Sequence, residues 1–123
     1  MFTSYYDNIS NITYPTVGIS GWMPAWYTGP TYRKLAPKYK TCYLPYINGE
    51  IDSQEYAARY TYDVLNKLNP SDVYRDLSER GGQNAVLLCY EKPDKFCHRH
   101  LVAQWLNLSL GIKITELNQF HQR

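Results

Sequence analysis

Ala85-Val86-Leu87-Leu88-Cys89-Tyr90 is an apolar run of strand length, set between Gly81-Gly82 and the polar segment Glu91-Lys92-Pro93. Unbroken apolarity, in place of polar–apolar alternation, belongs to a strand covered on both faces, as in a parallel sheet. After a loop over 91–96, Leu101, Val102, Trp105, Leu106 and Leu108 recur at helical spacing, which predicts a helix from about Cys97 to Leu110, ended by Gly111. Ile112–Leu117 then alternates apolar and polar as an edge strand does. Strand, helix and strand in this order form a βαβ unit, whose crossover is right-handed in nearly all proteins.

The upstream chain extends this plan. Phe2–Tyr6 and Tyr14–Ser20 are β-prone runs closed by Asp7-Asn8 and Gly21. Residues 21–50 are irregular, punctuated by proline and glycine and dense in Trp and Tyr, with short helical turns expected near Thr31–Leu35 and Lys40–Ile47. Asp52 with Glu55 three residues on forms a capping box, and Tyr56, Tyr60, Val64, Leu65 and Leu68 follow at helical spacing. Asn69 caps a second helix that begins at Pro70, buries Val73, Tyr74 and Leu77, and stops at Gly81-Gly82. The expected fold is a single small three-layer α/β domain over residues 1–123, Rossmann-like, with a mostly parallel sheet and a C-terminal βαβ unit.

Composition narrows the function. The hydrophobic fraction is 44%, with 13 Tyr and 3 Trp, which excludes a disordered chain. No apolar run approaches the length of a membrane span, and Met1–Tyr6 lacks the basic and apolar segments of a signal peptide. Three cysteines, an odd number without an export signal, predict reduced thiols in the cytoplasm and no disulfide framework. Net charge is +2, too small to indicate nucleic-acid binding by composition alone.

The candidate site is Cys97-His98-Arg99. Ligands of open α/β sheets bind beyond the carboxyl ends of strands, where the next helix begins. Helical geometry aims His98 over the end of the sheet, puts Cys97 and Arg99 on its flanks and turns His100 away. A cysteine at a helix start beside an arginine has a lowered pKa and is a candidate nucleophile. His98 is a candidate acid or base. Arg99, with the free amides of the first turn and Lys92 nearby, suits a phosphate. Cys89 closes an apolar strand, as a small buried hydrophobe does. A structural zinc site is not expected, because Cys97 and His100 have no second close-spaced Cys/His pair. No cofactor, glycine-rich phosphate loop or serine-hydrolase elbow is expected either.

The run from Ala85 through Glu91, Lys92 and Pro93 to Phe96-Cys97-His98-Arg99-His100-Leu101-Val102 resembles the pattern of the bacterial and viral family known as domain of unknown function 488. That pattern is an apolar strand ending Cys-x-Glu, a short loop, then Cys-His-Arg and a Leu/Val helix. Gly21-Trp22-Met23-Pro24-Ala25-Trp26-Tyr27 is similar to the short branch of the family, with Ser20-Gly21 where an arginine is usual. The resemblance implies an α/β fold and a site built from Cys89, Glu91, Cys97, His98 and Arg99, and no established reaction. Glu91 then gains a role in orienting His98 or moving a proton.

Trp22, Trp26, Tyr27 and Tyr32 are expected to fold over this site, where aromatic rings beside an anion would take a base and its phosphate. Two readings follow. One is an enzyme acting on a phosphorylated small molecule or nucleic-acid component, with Cys97, His98 and Glu91 catalytic and Arg99, Cys89, Lys92 and the aromatics holding the ligand. The other is a non-catalytic nucleotide-, nucleic-acid- or protein-binding module. Catalysis requires Cys97 or His98 exposed within reach of each other or of a common ligand, and if both are buried and satisfied the binding module is the reading.

Overall fold

The computed structural model describes residues 1–117; the rest of the domain expected over 1–123 lies outside the described residues. Four strands form one sheet: β1 (Phe2–Tyr5), β2 (Thr16–Gly18), β3 (Val86–Cys89) and β4 (Thr115–Glu116). The order is β2-β3-β1-β4, and every pairing is parallel. β3 is interior and fully buried, as its unbroken apolarity predicts. β4 is an edge strand, two residues long. The C-terminal βαβ unit is present, but its crossover spans β1, so that β4 pairs with β1 rather than with β3.

Among the described residues four α-helices accompany the sheet. α1 (Leu44–Ile47) follows a π-helical turn at Tyr39–Tyr43, and α2 (Ser53–Asp63), α3 (Pro70–Gly81) and α4 (His98–Leu110) are the longer three. Their starts follow local chemistry. The Asp52 carboxylate accepts the amide of Glu55 at 2.8 Å, and the Asn69 side-chain oxygen accepts that of Asp72 at 3.0 Å. Each satisfies an amide that the first helical turn leaves unpaired. α3 and α4 end at Gly82 and Gly111, whose φ of 77° and 65° only glycine adopts freely. The Asn69 cap has a measurable weight: Asn69→Ala should lower the unfolding free energy by about 1 kcal/mol, read from urea unfolding, whereas no change would mean water replaces the cap.

Alternation along β3 divides the core. Leu87 and Ala85 face one side, joining Val17 of β2 to Tyr56 and Tyr60 of α2, Val73 and Leu77 of α3, and Val102 and Leu106 of α4. Val86 and Leu88 face the other side, against Tyr6 and Leu117, with Phe2, Ile9, Ile12, Met23 and Tyr27 packed around them. The three longer helices thus share one face, and the third layer consists of a 3-10 turn at Tyr6–Asn11 and the segment around Met23–Tyr27. Leu108, read from spacing as part of the inner face of α4, is 79% exposed instead. Two residues on from Leu106 is about 200° around the helix, so Leu108 turns away from the core while Leu110, nearer the helix end, still packs against it.

Candidate functional site

Parallel pairing puts the carboxyl ends of β2 and β3 side by side, and α4 starts directly above them. Ile19, just past β2, donates its amide to the carbonyl of Leu88 at 3.0 Å. Its own carbonyl is left facing the helix start, where it meets His98 Nε2 at 2.9 Å. A carbonyl oxygen only accepts, so the Nε2 nitrogen carries the proton and the Nδ1 lone pair is free. Nδ1 faces Cys97 Sγ at 3.8 Å. The orientation of His98 therefore comes from Ile19, not from Glu91. His98 is buried, and desolvation, with the charge of Arg99 adding to it, pushes its pKa down to about 4 against the hydrogen bond it donates to the Ile19 carbonyl. The imidazole is neutral at physiological pH.

Cys97 is the N-cap of α4 in extended conformation, and its side chain makes no capping bond. Its sulfur turns back instead to Cys89 at the end of β3, and the two form a disulfide. The expectation of free thiols, with a reactive thiolate at Cys97, fails in this form. The count of three is met by one pair plus Cys42, which is buried and free, its thiol pushed up to about 11 by burial. A count constrains pairing only through its parity, whereas the strand end and helix start determine which sulfurs meet.

Arg99 is also placed differently from its expected role. It is 0% exposed, and its guanidinium forks onto Glu116 of β4, with Nε donating to Oε1 at 3.0 Å and Nη2 to Oε2 at 2.8 Å. Nη1 donates to the Glu91 carbonyl at 2.6 Å and to Cys89 Sγ at 3.2 Å. Thr3 Oγ1 supports Glu116 at 2.5 Å. These contacts occupy the fork, so Arg99 ties β3, β4 and α4 together and is not open to a phosphate. Lys92 and Lys95 are exposed on the loop.

Above Cys89, Cys97 and His98 opens a cleft whose walls are mostly aromatic: Trp22, Tyr39, Tyr43, Tyr46, Tyr56, Tyr90 and Phe96, with Glu91 among the lining residues. Trp22 is 63% exposed and meets Tyr39 edge to face at 5.2 Å. Burial and the nearby Glu91 carboxylate both raise the pKa of Tyr43. Of the four aromatics expected here, only Trp22 reaches the cleft. Tyr32 is buried in the helical core, donating to Asp76 at 2.7 Å beneath Arg80. Trp26 and Tyr27 pack on Tyr6 at the opposite face of the sheet. Missed by sequence reasoning were Glu116, Ile19 and the tyrosines of 39–56. Tyr39, Tyr43 and Tyr46 had only aromatic density in an irregular region as a signal, and Tyr56 only its place on the apolar face of a helix.

Cys89 Sγ, Cys97 Sγ and a ring nitrogen of His98 lie within 4.8 Å of one another, all buried. Cys97 and His98 thus stand side by side at the floor of a cleft, but both are buried, with Cys97 in the disulfide and His98 hydrogen-bonded to Ile19, which is the outcome expected of a binding module. Among the described residues no helix is long and apolar enough to cross a membrane. A family model described as the active DUF488-N3 subclade matches residues 8–110. No curated protein and no solved structure matches.

Proposed function

The chain belongs to the active N3 subclade of the DUF488 family, and from that premise we propose that it is an enzyme acting on a phosphorylated, ring-bearing ligand, a nucleotide or nucleic-acid component. One observation carries the reading: an aromatic-walled cleft has Cys97 and His98 at its floor and Glu91 in its lining. Stacking on aromatic rings holds a base without reading its identity, at about 1–3 kcal/mol per ring. Trp22, Tyr39 and Tyr90, all exposed at the cleft, are the rings available to it. The phosphate is assigned to Lys92 and Lys95, exposed on the loop between the cleft residues Glu91 and Phe96, because Arg99 is fully buried and bound to Glu116, Glu91 and Cys89. The reacting bond then lies over Cys97 and the unprotonated Nδ1 of His98, and Glu91 is the carboxylate available to carry a proton at that point. Arg99 acts as a positioning residue: it holds the Glu91 backbone and the Cys89 sulfur in place.

A panel of nucleosides, nucleotides and short oligonucleotides, titrated against intrinsic tryptophan fluorescence, tests this. Nucleotides should quench Trp22, and Trp22→Ala should weaken binding about tenfold, the equivalent of one lost stacking contact. Quenching that is unchanged in Trp22→Ala, or absent at millimolar nucleotide, overturns the reading. The binding-module alternative is favoured by the burial of Cys97 and His98, by the hydrogen bond of His98 to Ile19, and by the disulfide, which ties up both sulfurs at the cleft floor. It predicts ligand binding without product formation in both oxidised and reduced protein, whereas the enzyme reading predicts turnover in the reduced protein, lost in His98→Gln.

A further inference from the structure

We propose that the reduced form of this site binds one zinc-class divalent ion through Cys89 Sγ, Cys97 Sγ and His98 Nδ1, with a fourth coordination position open to the aromatic cleft. Three independent features of the geometry support it. First, the imidazole is set as a ligand. Metal-bound histidines characteristically donate their other ring N–H to a backbone carbonyl or carboxylate, which fixes the tautomer. His98 already does this to Ile19 at 2.9 Å, leaving Nδ1 as the lone pair beside the sulfur.

Second, the spacing fits. Ordinary zinc–sulfur and zinc–nitrogen bonds of about 2.3 and 2.0–2.1 Å at a tetrahedral angle put the two donor atoms about 3.6 Å apart. Cys97 Sγ and His98 Nδ1 are separated by 3.8 Å. The Cα atoms of Cys89 and Cys97 stand 7.2 Å apart, beyond the range of about 4.4–6.8 Å that disulfides usually span. Two thiolates gripping an ion, about 3.8 Å apart by the same bond lengths, suit that backbone separation without drawing the strand end and helix start together.

Third, the surroundings favour thiolate and an open position. Arg99 Nη1 donates to Cys89 Sγ at 3.2 Å, and a cationic donor on a sulfur stabilises its thiolate. Three protein ligands plus one position facing a cleft is the composition of catalytic rather than structural zinc. The two thiolates, the ion and the paired Arg99 and Glu116 leave the buried centre without net charge. A search for closely spaced Cys/His pairs misses this set, because the two cysteines lie eight residues apart and only the strand–loop–helix turn joins them.

Formation is balanced as two steps. A dithiol reductant supplies two electrons and two protons to the Cys89–Cys97 disulfide and is itself oxidised to a disulfide. The divalent ion then displaces two thiol protons and binds two thiolates and the neutral imidazole. Disulfide and metal are thus mutually exclusive states of one site. The ion does not depend on the nucleotide reading, although its open position deepens it: a metal-bound water there could serve as the reactive group over the ligand.

The test uses the full chain, reduced with a dithiol, stripped with chelator and exchanged into reductant-free anaerobic buffer. Cobalt(II) should bind at one equivalent with thiolate-to-cobalt charge-transfer absorption and the intense visible bands of tetrahedral cobalt, and zinc should displace it. Zinc should also protect Cys89 and Cys97 from alkylation, read by mass spectrometry on the unmutated protein. Cys42→Ser should leave the spectrum unchanged, Cys89→Ser and Cys97→Ser should abolish the charge-transfer signature of the pair, and His98→Gln should weaken binding at least tenfold. Circular dichroism checks that each variant is folded. An absent cobalt spectrum together with unprotected cysteines in the reduced wild type overturns the proposal, whatever the variants do. Nucleotide quenching of Trp22 that persists in that same metal-free protein would leave the functional reading standing, so the two failures are separable.

Discussion

Arg99→Met should lower the unfolding free energy by about 3–5 kcal/mol, the cost typical of breaking a buried ion pair from one side. The guanidinium has no exposed surface, while its partner Glu116 keeps 22% of its side-chain surface. Removing the arginine leaves that carboxylate, the Glu91 carbonyl and the Cys89 sulfur without their shared donor. Methionine fills much of the vacated volume, so the loss reports the lost pairing more than a cavity. Arg99→Lys should recover only part of it, since an ammonium cannot fork across both oxygens of Glu116 and also reach the strand end. Urea unfolding of the three proteins, fitted with a common m-value, is the measurement. A loss below about 1 kcal/mol in Arg99→Met, the scale of an exposed ion pair, would mean that water already shares these contacts.

Acidification should weaken the metal-free, disulfide-linked protein between pH 6.5 and about 4, and His98 is the cause. Above the ordinary histidine value the ring is neutral in both folded and unfolded chains, so it contributes no slope. Below that value the unfolded chain takes up a proton that the folded chain refuses until about pH 4, because burial and the Arg99 charge oppose it. The unfolded state binds more protons throughout the window, and stability falls as pH falls. The depressed pKa corresponds to about 3 kcal/mol across it, at 1.36 kcal/mol per unit. Burial also lowers the pKa of His100, which adds loss of the same sign. His98→Gln still offers an N–H to the Ile19 carbonyl but does not titrate, so most of the slope should vanish. Equal slopes in wild type and variant would rule out His98 as the acid-sensitive group.

What the sequence disclosed was local, and what it hid was long-range. Asp52, Asn69, Gly82 and Gly111 mark helix ends by chemistry that acts within a few residues, and each occupies its expected place. β3 was legible because burial on both faces leaves no polar position to keep. The neighbours of β3 were not, since nothing in Phe2–Tyr5 says that it inserts between strands more than eighty residues downstream. Arg99 shows the same limit at the site. Its position at the helix start was clear, but its partner lies 17 residues on, in a strand of only two residues. Tyr32 and Tyr39 carry the same side chain in aromatic-rich sequence, yet one lies beneath Arg80 and the other lines the cleft. Composition cannot separate them, because that difference depends on which way the chain turns between residues 21 and 50.

The place of β1 bears on how this chain is made. β1 pairs with residues 86–89 on one side and with 115–116 on the other, so among the four described strands the first to be synthesised is completed by the last. Contacts so distant in sequence raise contact order, and loop closure must precede any gain from pairing. α2 and α3 can form helical turns during synthesis, but the sheet beneath them has no interior until β3 emerges. Until then Phe2–Tyr5 presents two unpaired edges, the kind of surface on which a nascent strand finds a wrong partner. Arg99 and Glu116 can pair only once β4 has been made, and their union accompanies the closing of the sheet.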